Sequence, residues 1–309
     1  MSKRFLIIEH RHRGMFSNLF HVLQWINRCR EIDRVPIVHW HGGHYYSEAG
    51  YNGEKNNVWQ YYFEPVSNYT MDDVDLKHDD VKRKNKYRLR TSQDEPLCCW
   101  DFKRATPPKP GVYNPSAECR KFFNKVVVDH IKLRDVVQGK IEQFANEHFS
   151  GAPRIGVHMR GCDDAKTIKG IKTRRTRRRY LDRLIDYYVS KIKEITKTYD
   201  DNVQIFIASD YQYCVDRISG MLGLDVITYD SFRSNNGHIF NTNQSILTKM
   251  CVDHREYEVI GPQRGEEAII ECMLLSKCNY FFKSVSNFSS AVLYFNPNIQ
   301  YETMISYDK

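Results

Sequence analysis

Apolar positions along the 309-residue chain fall into two rhythms. Short unbroken runs occur at Phe5 to Ile8, "VPIVHW", "RIGVHM", "VQIFIAS", "LDVITY" and "NYFFKS", and these read as strands buried on both faces. Between them, apolar residues recur three or four apart. Leu19, Val22, Leu23 and Ile26 predict one helix, and Leu181, Leu184, Ile185, Tyr188 and Ile192 predict another within Arg178 to Tyr199. Further helices are predicted around Val215 to Met221, over "GEEAIIECMLLSKC" and from "SNFSSAVLYF". Strands alternating with helices imply an α/β fold on a parallel, doubly wound sheet.

The rhythm loosens twice. From Trp40 to Pro115 Gly, Asn, Asp and Tyr dominate, with aromatic clusters such as "VWQYYFEP" that read as core; the alternative is a face for stacking sugar rings. "CRKFFNKVVVDHIKLRDVVQGKIEQFANEHF" then holds one or two helices, and "SGAP" (Ser150 to Pro153) marks a boundary. A long polar loop is predicted from Asp230 to about Gly261. Length and pattern together suggest two domains, 1–150 and 151–309, with the last helix packing back on the first.

Composition adds a constraint on partners. The net charge is +8, and Ala165 to Arg179 ("AKTIKGIKTRRTRRR") carries eight Lys or Arg and no acid. Outside that run, basic and acidic residues are equal in number. One basic loop on a neutral body suits a local anionic partner better than a nucleic-acid footprint. The nine cysteines include no paired C-x-x-C set, so a structural zinc site is not expected, and a reducing compartment is. The opening apolar run is too short for a signal peptide, and no stretch approaches membrane-spanning length. A cytoplasmic or otherwise soluble protein of bacterial or viral origin is expected.

In open α/β sheets ligands sit outside the carboxyl ends of the strands. That rule gathers distant residues: His158, Arg160 and Asp163 after one strand, Ser209 and Asp210 after the next, Asp230 after a third, and Ser284 to Ser290 after the last. A helix start rich in hydroxyls is an anion site, and an arginine at a strand end adds a fork for a phosphate. Each element has a plainer reading: Ser286 as an N-cap, His158 as a core histidine, "SD" as turn chemistry. Their conjunction on one sheet edge favours the site. "HRGMFSNLFH" is a further Gly-containing loop feeding a helix, without G-x-G-x-x-G or a P-loop lysine.

"IGVHMRGCD", "IFIASD" and "RGEEAIIECMLLSKCNYFFKSVSNFSS" resemble, in order and spacing, the three peptide motifs of the α-1,6-, α-1,2- and protein O-fucosyltransferases, including the nodulation-factor enzymes. "GMFSN" is similar to their N-terminal Gly/Asn loop. The resemblance implies a GT-B architecture of two Rossmann-like domains. It implies an inverting, metal-independent glycosyltransferase without cofactor, moving L-fucose from GDP-fucose to a sugar hydroxyl of a glycan. By motif, Arg160 would hold the donor β-phosphate, His158 would line the sugar or phosphate site, and Asp230 would bind guanine. Ser286, Asn287 and Ser289 would bind the diphosphate, and Asp210 would support the nucleotide or orient Arg160. Arg264 opens the third motif as a substrate-binding residue, and Gly14 and Asn18 would face the donor from the other domain. Two departures stand out. Gly161 replaces a second arginine of the α-1,6 enzymes, and the basic loop lacks their downstream glutamate. The catalytic base stays open between Asp163, Asp164 and a group of the first half. The alternatives are the same scaffold with another nucleotide sugar, or a polyanion- or nucleic-acid-binding protein acting through residues 165–179.

Overall fold

The computed structural model describes residues 3–11, 13–84, 114–161, 174–200, 202–224, 226–234 and 254–304. In the helices that open at 174 and 254, side chains are described from 178 and 261. The chain forms two compact units, Met1–Lys140 with Asn241–Ala268, and Ile141–Phe240 with Ile269–Lys309.

The first unit opens as its pattern predicts, with β1 (Arg4–Ile8), α1 (Met15–Glu31) and β2 (Val35–Val38). A third strand, β3 (Asp80–Lys84), completes a parallel sheet of order β2-β1-β3. Its sequence, "DVKRK", is polar because it is an edge strand, and periodicity alone did not reveal it. Arg34 ties the sheet together. Its buried guanidinium donates to the carbonyls of Phe5 (2.9 Å) and Asp80 (2.8 Å) and pairs with the Asp80 carboxylate.

The aromatic segment after β2 is core. Trp40, Trp59, Tyr61, Tyr62 and Phe63 are buried, with Trp59 stacked on Phe63 at 4.3 Å and edge-on to Trp40 at 5.1 Å. Asn57 holds this cluster to β2: its amide oxygen accepts from the Trp40 and Trp59 N–H groups, and its amide nitrogen donates to the Val38 carbonyl. The helices α2 (Ala117–His130) and α3 (Asp135–His148) follow, α2 capped by the Ser116 hydroxyl.

The second unit carries a five-stranded parallel sheet of order β6-β5-β4-β7-β8. Its strands are β4 (Arg154–Met159), β5 (Gln204–Ser209), β6 (Val226–Ile227), β7 (Tyr280–Lys283) and β8 (Gln300–Thr303). The connecting helices are α4 (Arg174–Thr196), α5 (Gln212–Leu222), α6 (His254–Ser276) and α7 (Asn287–Phe295). Ile155, Val157, Met159, Ile205, Ile207 and Phe282 pack with the predicted apolar face of α4 and with Cys214, Val215 and Ile218 of α5. Full burial contributes about 1.5–3 kcal/mol for each large aliphatic side chain.

The polar loop predicted to run to Gly261 is cut short, because α6 begins at His254 and continues through Pro262. Gly261 and Gly265 explain this. A Cβ on Gly261 would come within 2.8 Å of the His44 carbonyl oxygen, and one on Gly265 would collide with the Tyr62 ring. The two glycines let the helix lie directly against the His44 backbone and the Tyr62 ring. The Tyr62 hydroxyl donates to the Pro262 carbonyl at 2.8 Å. Among the described residues no helix is long and apolar enough to cross a membrane. The five described cysteines, Cys29, Cys119, Cys214, Cys272 and Cys278, are buried.

Candidate active site

The carboxyl edge of the second sheet is built outward from β4. Side chains alternate along a strand, so His158 faces away from the core that receives Val157 and Met159. Its ring stacks on Phe288 of α7 at 4.3 Å. Its Nδ1 lies 2.6 Å from the Ser289 hydroxyl and 2.9 Å from the Ser284 hydroxyl. The His158 carbonyl accepts from the Ser284 N–H (3.1 Å) and the Tyr188 hydroxyl (3.3 Å). The end of β4 is thereby joined to β7, to the start of α7 and to α4.

Ser286 is the N-cap of α7. Its hydroxyl accepts from the Ser289 N–H at 3.0 Å and donates to the Ser289 hydroxyl at 3.1 Å. The capping and anion-site readings of this stretch therefore name the same residues. The cap fixes the helix start, whose macrodipole presents positive potential at Asn287. Lys283, fully buried, pairs in register with His158 at the end of β7. Burial first, then the charges of Arg160 and Lys283, push the His158 imidazole down to about 3. At neutral pH the ring is uncharged and serves as a hydrogen-bonding group, not as a cation.

Arg160 follows β4, half-buried, and Asp210 fixes the turn beyond it. The Asp210 Oδ1 accepts from the Gly161 N–H at 2.8 Å, while its carbonyl accepts from the Ser234 N–H at 3.0 Å. Asp210 thus contacts the peptide immediately after Arg160. Asp230 is exposed beyond β6, on a loop held from below. The Arg233 guanidinium donates to the Tyr229 carbonyl (2.6 Å) and to Glu271 Oε1 (3.3 Å), which also accepts from the Ser231 hydroxyl at 2.7 Å.

The structure thus brings together His158, Ser286, Ser289 and, at the next strand end, Asp210 beside the turn after Arg160. Gly14, Asn18 and Arg264 belong to the first unit. Gly14 is the N-cap position of α1. The Asn18 amide is committed to the loop before it, accepting from the Arg11 N–H and donating to the Arg13 carbonyl, both at 2.9 Å. Arg264 lies half-buried on α6. Asp163 and Asp164 lie outside the described residues, as does most of the basic loop. Of that loop, Arg178 lies over the Tyr213 ring and 3.8 Å from Asp182, whose carboxylate also accepts from the Tyr213 hydroxyl. Among the described residues no three His, Cys, Asp or Glu side chains gather so as to hold a metal ion.

No family sequence model matches the chain, and no curated protein matches it. Solved structures do. The fucosyltransferase NodZ from Bradyrhizobium superposes with a TM-score of 0.53 at 18% identity, covering 94% of this chain and 92% of that one. NodZ α-1,6-fucosyltransferase co-crystallised with GDP gives 0.52 at 17%, covering 97% and 93%. POFUT1 in complex with GDP gives 0.52 at 10%, covering 98% and 99%. The chain has a GT-B fucosyltransferase-like fold.

Within that fold, Gly161 acquires a physical reason. A Cβ there would lie 2.6 Å from the Cys214 sulfur and 2.8 Å from the Tyr211 Cβ. The turn after β4 has closed onto α5, and no larger side chain fits. The sequence reading passed over Lys283, Phe288, Arg233 and Glu271. Lys283 was legible as a lone cation ending an apolar strand, and Glu271 as a carboxylate inside the apolar run of α6. Phe288 carried no signal, because only the turn into α7 puts its ring over His158.

Proposed function

We propose that the protein is an inverting glycosyltransferase that moves L-fucose from GDP-fucose to a hydroxyl of a glycan acceptor, without a metal. The observation that carries this reading is the buried His158–Ser284–Ser289 cluster at the start of α7, beside Arg160, in a chain of fucosyltransferase-like fold. In the proposed reaction the bond between the fucose anomeric carbon and the β-phosphate oxygen breaks. The acceptor hydroxyl forms its bond to that carbon from the opposite face and loses its proton.

The electrostatics support these roles. Arg160 and the positive end of α7 meet the charge that builds on the departing diphosphate, so the leaving group needs no proton. Ser286, Ser289 and Asn287 supply further donors at the same helix start. His158, held neutral down to about pH 3, is too weak a base to take the acceptor proton and acts by positioning the serines. Asp210 fixes the Arg160 turn, and Asp230 takes the edge of the guanine. Gly14, Asn18 and Arg264 keep the substrate-binding role that the motif resemblance implies. An oxocarbenium-like transition state loses the acceptor proton late, so a weak base is sufficient; none of the described residues is assigned to it.

A thermal-shift panel of GDP, UDP, CMP and their sugars tests the proposal. GDP and GDP-fucose are expected to raise Tm, with the shift insensitive to EDTA and abolished in Arg160→Ala. A shift with UDP and none with GDP would overturn the donor assignment. Binding that depends only on salt and ignores Arg160 would favour the polyanion reading instead.

A further inference from the structure

The loop after β6 pairs an exposed carboxylate with an exposed ring. Phe232, two residues beyond Asp230, is 47% exposed, in contrast to the buried Phe206, Phe281 and Phe282 of the same unit. The neighbouring Tyr229 instead turns its ring inward, edge-on to Phe144 at 5.2 Å. The loop is also held firmly. The Arg233 and Glu271 side chains are only 7% and 10% exposed, and Arg233 spans the turn by donating to the carbonyls of both Tyr229 and Ser231. Ser231 adds its hydroxyl to the same Glu271 oxygen at 2.7 Å. A buried ion pair is an expensive way to order a surface loop, and the loop that it orders carries the exposed Asp230 and Phe232 beyond the carboxyl end of β6.

Those two groups have complementary chemistry. A carboxylate accepts two parallel hydrogen bonds from adjacent N–H donors, which guanine offers at N1 and N2 and which adenine, cytosine and uracil do not. A phenyl ring offers a flat apolar face to any base. We infer that Phe232 is the stacking surface for the base of the nucleotide donor, and that the Arg233–Glu271 pair is the positioning element that holds it beside Asp230. The inference rests on the nucleotide-sugar reading above and deepens it. Phe232 supplies affinity, Asp230 supplies selectivity, and the buried pair couples the two.

Calorimetric binding of GDP to the full chain, with Tm measured in parallel, tests this. Phe232→Ala is expected to weaken GDP binding about 10- to 100-fold, with a fall in Tm too small to account for it, since the residue is 47% exposed. Phe232→Trp restores the affinity and gives an indole whose fluorescence is quenched as GDP binds. Glu271→Gln lowers GDP affinity and also flattens the preference for GDP over UDP, which a merely structural loss would leave intact. GDP binding unaltered in Phe232→Ala overturns the inference, as does a loss that Trp fails to restore or that a fall in Tm accounts for. Wild-type protein that binds no GDP sinks the donor assignment and this inference together. Wild-type protein that binds GDP regardless of Phe232 sinks this inference alone.

Discussion

Both units carry a parallel sheet, and each sets a buried histidine near it, but the two histidines do different things. In the first unit His21 of α1 bonds to backbone, its Nε2 lying 3.3 Å from the Lys84 carbonyl at the end of β3, and its ring meets Trp25 edge-on. Burial pushes it down to about 4. In the second unit His158 meets two serine hydroxyls and a stacked ring, with Arg160 and Lys283 adding positive charge around it. The asparagine and aromatics of the first unit follow the same division. Asn18, Asn57 and the Trp40–Trp59–Phe63 cluster fix backbone and fill volume. Polar groups that satisfy backbone make a scaffold, while polar groups that satisfy one another around a helix start make the candidate site.

Acid should expose that difference most strongly. Both histidines are neutral in the folded chain and take up protons on unfolding. Stability is full above about pH 6.5 and falls as pH drops toward about 4 at His21 and about 3 at His158, by several kcal/mol in all. Tm against pH for His21→Gln and His158→Gln checks this, each variant flattening part of the acid limb. A wild-type Tm constant from pH 7 to 4 would contradict the burial of both rings. Next in size, Trp59→Ala should cost about 3–5 kcal/mol in chemical denaturation, from the cavity it leaves in the aromatic cluster. A GDP shift that survives in the remaining folded protein would keep the scaffold and the proposed site distinct.

Gly161→Ala is expected to cost about 1–3 kcal/mol, since its Cβ must displace Tyr211 or Cys214, and to disturb GDP binding through the Arg160 turn. An unchanged Tm would show that the turn has room. Smallest is Ser289→Ala, at about 1 kcal/mol of stability for its lost hydrogen bonds, with a larger effect on GDP binding than on Tm. The matching first-unit change, Asn57→Ala, should do the reverse. If both variants lowered Tm and GDP affinity in the same ratio, the comparison between scaffold and site would collapse.

Much of this was written in the chain itself. Short unbroken apolar runs read as strands, and the three-and-four spacing of Leu181 to Ile192 reads as one helix face. The alternation of the two, with charge at the strand ends, located the edge that carries His158, Arg160 and Asp210. What stayed hidden depended on what lies opposite each residue. The edge strands β3 and β8 carry no apolar run because no residue in either is fully buried. The extension of α6 through Gly261 and Pro262 depends on the His44 carbonyl and the Tyr62 ring, both distant in sequence. Whether "VWQYYFEP" was core or a stacking face, and why glycine follows Arg160, depended on neighbours distant in sequence. Local sequence determines periodicity and backbone preference. Burial, and with it the neutral state of His158, is a property of contacts that exist only once the chain has folded.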